Sequence, residues 1–265
     1  MSARIAVGIE GIGVWAGGMP DWSRAAEALC GNVDIAPDAA ARPAPSLLSP
    51  NERRRAPESV LLAIEVAAQA CAMTQHLPGD LPHVFASAFG DLAINDYLCA
   101  TLARTPGDVS PTKFHNSVHN APAGYWAIAT GCRESSTAVA AGASTFGAGL
   151  LEAALLAQAQ MRPVLLAAYD VPACGPLLDV IACRVAFGAA FVLAPPSARA
   201  LATIELELAP ATAPLADASR LLHPLYAANP AARSLPLLRA LARRTRQPLR
   251  LDAAPDLQLA MEILF

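Results

Sequence analysis

The stretch that most constrains this chain is Glu134–Ala159, ESSTAVAAGASTFGAGLLEAALLAQA. It reads as a short strand, Ser135–Val139, a tight turn of small residues, Ala140–Gly142, and a long apolar helix from Ser144. Small residues let a backbone turn sharply into a helix without side-chain clash. A helix entrance gathers unpaired N–H groups and partial positive charge, a setting in which enzymes hold an activated nucleophile. The residue that closes this strand is Val139, and its side chain is hydrocarbon.

A chain of 265 residues is long enough to bury one large α/β core. Although 54% of its residues are hydrophobic, the apolar runs are interrupted. The most apolar region, Met161–Ala194, carries Arg162, Asp170, Asp179 and Arg184 together with Pro163, Pro172, Gly175 and Pro176. No unbroken apolar span of about 18 residues exists, so no membrane-spanning helix is expected. The start, MSARIAVGIEGIGVW, holds Glu10 inside its apolar run and reads as a first strand, not a signal peptide. A net charge of −3 without a long basic tract offers nucleic acid no electrostatic footprint. The six cysteines, Cys30, Cys71, Cys99, Cys132, Cys174 and Cys183, form no CxxC pair. Their scatter suits reduced thiols of a cytoplasmic protein better than a disulfide framework or a metal site.

Taken in order, Ile5–Trp15 reads as a buried strand and Trp22–Cys30 as a helix capped by Asp21 and closed by Gly31-Asn32. Val33–Pro57, rich in Pro and Ala, reads as a long loop carrying Arg53-Arg54-Arg55. Glu58–His76 and Asp91–Ala103 have helical spacing, Leu81–Ala88 reads as a strand, and Pro106–Phe114 as a loop. Ala121–Thr130 is a small-residue helix with Pro122 in its first turn. Val164–Tyr169 and Val185–Leu193 are further strands, and the alternation of Ile204–Leu208 places that strand near a sheet edge. The remainder, Ala209–Phe265, reads as a loop, a basic helix near Ala231–Arg246, and strands at Leu249–Asp252 and Leu257–Leu264. Strands alternating with helices imply an α/β fold with a mostly parallel mixed sheet covered by helices.

Four segments, in order, resemble the N-terminal half of β-ketoacyl-ACP synthases, which have the thiolase-like fold. They are IEGIGVWAGGMPDWSRAAEALCGN, SPTKFHNSVHNAPAGYWAIATG, STAVAAGASTFGAGLLEA and VAFGAAFVLAP. The resemblance implies a ketosynthase-like first half over residues 1–208 and a reduced C-terminal segment, 209–265, packed on the same domain. Aligning the Thr-Ala of the turn and the later Gly147 places the family's cysteine at Val139. The family's second half supplies two histidines and a lysine. Here only His223 follows residue 119, and Lys113 is the only lysine. The combination resembles a chain length factor, the catalytically inert partner of an active ketosynthase, of the aryl-polyene (xanthomonadin-type) kind.

That resemblance implies further expectations. Ser135, Ser136, Thr137, Ala138 and Val139 would form the strand that pairs across the dimer two-fold. Phe114, Tyr125, Trp126, Val139 and Phe146 would border the acyl tunnel at the interface. The partners would be an active ketosynthase and an acyl carrier protein with its phosphopantetheine-bound chain, with no metal or cofactor. Arg53–Arg55 and Arg239, Arg243, Arg244 and Arg246 are candidates for docking that acidic carrier, or ordinary solvated faces.

Two other readings stand beside this one. Gly142–Gly147 partly matches a nucleophile elbow, so Ser144, or a cysteine outside the family position, would serve an independent acyltransferase or hydrolase; Phe146, however, stands where G-x-S-x-G needs its second glycine. A binding module that presents a carrier without setting chain length is the third. His115 and His119 have the i, i+4 spacing of metal ligands but lack the glutamate of HExxH, and are expected to bond to backbone instead.

Overall fold

The longest strand, β1 (Arg4–Ala16), lies inside the sheet, with neighbours on both sides. The computed structural model describes residues 4–36, 38, 41–211 and 223–265. Glycines in β1 let a helix cross it at backbone distance. A Cβ at Gly13 would lie 2.0 Å from the carbonyl oxygen of Val66, and one at Gly11 2.1 Å from that of Ala70. Both carbonyls belong to α3 (Glu58–Ala72). Gln69 Oε1 of that helix accepts the N–H of Val14 at 3.1 Å, so the contact is bonded as well as packed.

Eight strands form one sheet in the order β3-β2-β4-β5-β1-β6-β8-β7. The others are β2 (His83–Ala86), β3 (Ser136–Val139), β4 (Val164–Asp170), β5 (Phe187–Ala194), β6 (Ala202–Pro210), β7 (Leu249–Ala254) and β8 (Leu257–Leu264). The sheet is mixed, as expected, but parallel pairing is confined to β2 with β3 and β4; every other pair is antiparallel. Strand β6 is not near an edge: it lies between β1 and β8. Its alternation has another cause. Ile204 and Leu206 face the core, whereas Glu205 and Glu207 face an uncovered side and pair with Arg4 at 3.2 and 3.6 Å.

Helices cover the two faces with separate cores. Helices α3 and α6 (Ala121–Thr130) pack on one side around Phe85, Trp126 and Tyr169. On the other, α1 (Trp22–Cys30), α7 (Thr145–Gln160) and α8 (Leu235–Arg243) pack around Phe146, Phe187 and Phe191. Asp21 caps α1 by accepting the N–H of Arg24, and Gly31 closes it at φ +84°. Two short helices occupy segments expected to be loops. They are α2 (Pro50–Arg55), with a capping box between Ser49 and Glu52, and α5 (Pro111–His115), capped by Ser110. The remaining helix is α4 (Leu92–Arg104), capped by Asp91. The loop expected after Ala209 lies for the most part outside the described residues. Among those described, no helix is long and apolar enough to cross a membrane.

A single carboxylate joins the strand ends. Asp170, the last residue of β4, is fully buried, and its Oδ1 accepts from Ser87 Oγ (2.9 Å), Ala88 N (2.9 Å) and Phe89 N (3.3 Å). Its main-chain carbonyl accepts from Asn229 Nδ2 at 3.0 Å, which ties in the C-terminal segment. Burial pushes the carboxyl up to about 7, against the opposing pull of the hydrogen bonds from Ser87, Phe89, Ala88 and the main chain of Ala231.

Two measurements follow from this architecture. Gly13→Ala must displace the α3 backbone, and should lower the unfolding free energy by about 3 kcal/mol in urea titrations. Gly107→Ala, where a Cβ meets nothing within 4 Å, should stay within about 0.5 kcal/mol. Asp170 binds its proton more tightly folded than unfolded, so its contribution is complete below the ordinary carboxylate range and is lost as pH rises through about 7. Melting temperature should therefore fall from pH 5 to pH 8, and Asp170→Asn should flatten that slope; an equal slope in the variant would exclude Asp170 as its source.

Candidate functional site

Strand β3 ends at Val139, and the chain enters α7 through a 3₁₀ turn, Gly142–Ser144. Gly142 adopts φ +55°, a region that favours glycine. The turn is closed by Thr145, whose Oγ1 accepts the N–H of Ala141 at 2.9 Å and donates to the carbonyl of Gly142 at 2.7 Å. Val139 is half-buried and packs against the α7 side of the core. Helix α7 is pressed against strands on two sides. A Cβ on Gly149 would lie 2.9 Å from Ala86 Cβ, and one on Gly147 2.1 Å from the carbonyl oxygen of Asp252 in β7.

The turn joins strand to helix through small residues, with Val139 as the last strand residue. Among the described residues, no hydrogen bond joins the Ser144 hydroxyl to a histidine, so the serine-hydrolase arrangement is missing its base. The thiols are placed elsewhere. Cys71 and Cys183 are buried and pushed up to about 12 by desolvation. Cys132 lies before β3, at the opposite end of the strand from Val139. Its Sγ is 3.5 Å from the carbonyl of Leu81 and 3.8 Å from His83 Nδ1. His83 is wholly buried, and desolvation holds its imidazole below the usual range.

The five expected tunnel residues do not converge. Phe114 and Tyr125 share a groove of about 750 Å³ with Arg55, His115, Val118 and Ile128, between α2, α5 and α6. Trp126 turns the other way and is fully buried beside Phe85, with ring centroids 6.3 Å apart. Successive residues of a helix point about 100° apart, so Tyr125 and Trp126 face different surroundings. Phe146 is buried on the far side of the sheet against Phe191, at 6.0 Å. Neither Trp126 nor Phe146 lines the groove.

The histidines and arginines separate in a similar way. His119 Nε2 donates to the carbonyl of Ser87 at 2.8 Å, while His115 lines the groove. Among the described residues, no three potential ligands gather to hold a metal. In the C-terminal basic cluster, Arg243 donates to the carbonyls of Leu29 and Cys30 at the end of α1. Arg246 donates to the Phe265 carbonyl, and Arg244 lies over the Phe265 ring. These guanidiniums are spent on holding helix and chain ends together. In the other cluster, Arg53 donates to Pro45, Arg54 to Asn51, and Arg55 lines the groove.

The sequence alone shows Asp170 only as a charge interrupting an apolar region, not as a polar hub. The one local signal is a carboxylate closing an otherwise apolar run, Val164–Tyr169.

Comparison with known structures agrees with this geometry. The chain superposes on a chain of a ketosynthase (ApeO) in complex with its chain length factor (ApeC) from Xenorhabdus doucetiae. The TM-score is 0.75 at 21% identity, covering 97% of this chain and 99% of the other. It is similar to a chain of an ishigamide ketosynthase/chain length factor (TM-score 0.74, 14% identity, 98% and 99% covered). It is also similar to a chain of AntDE:AntF, a type II polyketide acyl carrier protein in complex with its ketosynthase (TM-score 0.72, 12% identity, 98% and 99% covered). No curated protein matches it in sequence. The fold is thus the thiolase-like fold of ketosynthases, and the model for the β-ketoacyl synthase N-terminal domain matches residues 22–251. By that match the chain belongs to the β-ketoacyl synthase N-terminal domain family.

Proposed function

We propose that this chain is a non-catalytic chain length factor. It pairs with an active ketosynthase and shapes the space in which an acyl chain, carried on an acyl carrier protein, is extended. The observation that carries the reading is Val139: the nucleophile turn is intact, and hydrocarbon stands at its chemical centre. The partner would supply the cysteine and the histidines. The similar chains named above come from ketosynthase complexes, two of them with chain length factors, and the match spans nearly all of each chain. Aryl-polyene or related polyketide assembly is the pathway class that fits.

The two sheet edges support a strand-paired partner at β3. Edge β7 is guarded: Pro248 precedes it, Arg250 and Asp252 charge it, and a register shift breaks it between Asp252 and Ala254. Edge β3 has no charge, no proline and no bulge between Ser136 and Val139. The carbonyls of Ser135 and Val139 accept from His83 and Ser87 of the β2 segment. By alternation, the N–H and C=O groups of Ser136 and Ala138 point away from β2, toward the free edge. An uncovered edge of this kind is an aggregation hazard, and an obligate partner removes it. The groove holding Phe114 and Tyr125 would then be a wall of the shared acyl space.

Co-expression with a cognate ketosynthase should yield a one-to-one complex by native mass measurement. Ala138→Pro, which removes an outward N–H and spares the β2 ladder, should leave the isolated fold intact and abolish that complex. In the reconstituted pair, Phe114→Ala or Tyr125→Ala should shift the product toward longer chains. An acyl-enzyme formed and extended by the isolated chain, or a complex indifferent to Ala138→Pro, would overturn the proposal.

A further inference from the structure

Among the described residues, Asp170 is the one buried carboxylate, the proposed function leaves it without a role, and its bonds lead to the pairing edge. Its Oδ1 holds Ser87 Oγ and the N–H groups of Ala88 and Phe89, while Ser87 Oγ in turn accepts the N–H of Gly90 at 2.9 Å. The turn 87–90 is therefore suspended from one oxygen atom. Ser87 then passes the constraint on. Its N–H donates to the carbonyl of Val139 at 3.1 Å, the last bond that β3 makes to its neighbour. Its own carbonyl accepts from His119 Nε2 at 2.8 Å, just before α6 begins. Helix α6 carries Tyr125 and Ile128 of the groove.

We propose that Asp170 is the positioning residue of the partner-facing surface, holding the end of β3 and the start of α6 in mutual register through Ser87. The partner named here rests on the chain length factor reading; the register itself does not. Strand β3 is only four residues long and bonded on one side, so it has little else to fix where Ala138 and Val139 present their outward groups. Three donors on a single buried oxygen fix that geometry more tightly than an exposed turn would. Other groups near this carboxyl do not replace it. Cys183 donates to the carbonyls of Val171 and Val185, and Asp91 is engaged by Ser59 and Ile94.

The test uses the full chain, alone and with its ketosynthase. Asp170→Ala removes the acceptor, Asp170→Asn keeps an oxygen for the three donors, and Ser87→Ala cuts the side-chain link alone. In the isolated chain, Asp170→Ala should speed amide hydrogen exchange at residues 87–90 and in β3 by about tenfold, and Asp170→Asn should restore protection. With the partner present, the dissociation constant should rise about tenfold for Asp170→Ala and return to within about threefold for Asp170→Asn. Should Asp170→Ala fail to fold, Ser87→Ala carries the same comparison with a smaller effect. Wild-type exchange in β3 and wild-type affinity, despite a lowered melting temperature, would reduce Asp170 to a structural hub and overturn the proposal. A wild-type chain that binds no ketosynthase would end the functional reading, while exchange in β3 would still decide the role of Asp170.

Discussion

The closure of hydrogen bonds at the ends of β2, β3 and β4 is the constraint on which the placement of β3 and α6 depends. Parallel strands meet their loops at one end, so the residues leaving them must satisfy backbone groups that no neighbouring strand reaches. Here one oxygen of Asp170 satisfies the turn after β2, and that turn satisfies the last carbonyl of β3. An ionised carboxylate would attract those donors most strongly, yet complete burial favours the neutral acid. Burial outweighs the hydrogen bonds, which is why the carboxyl is pushed up to about 7, above the ordinary carboxylate range.

What was legible in the sequence had local causes. Trp22–Cys30, Ala121–Thr130 and Leu257–Leu264 carry their own caps, prolines or alternation, and the structure reproduces their bounds. Helix α2 is missed by the sequence reading: Ser49 and Glu52 have capping-box spacing, but the surrounding Pro and Ala make the segment read as a loop. Strand β6 shows how a correct pattern yields a wrong place. Alternation reports one wet face, and an interior strand has a wet face wherever no helix covers it. The Asp170 hub has no local signature, because Ser87 is 83 residues away and Asn229 is 59. Only the fold brings them together. The valine that ends β3, by contrast, was readable at once, since the identity of residue 139 needs no geometry.

The basic clusters illustrate why residue type alone does not name a partner. Arg243, Arg244 and Arg246 look like a docking face in one dimension, but two donate to main-chain carbonyls and one lies over an aromatic ring. Guanidinium groups engaged in this way hold α1 and Phe265 in place, and a charge change there would loosen the fold before it altered recognition. Arg55 is different, since it borders the groove that also holds Phe114 and Tyr125.

The turn after β3 keeps its glycines and its tight helix entry, although a valine ends the strand. Packing supplies the reason. Gly147 stays small because the carbonyl of Asp252 occupies the place of a Cβ, and Gly149 because Ala86 and Leu166 crowd it. Gly142 keeps a positive φ that the Thr145 bonds depend on. None of these demands involves a thiol. The turn serves as the joint between β3, α7 and β7, and a valine fills its half-buried end as well as a cysteine would. These glycines are thus kept by sterics, whatever residue stands at the end of β3.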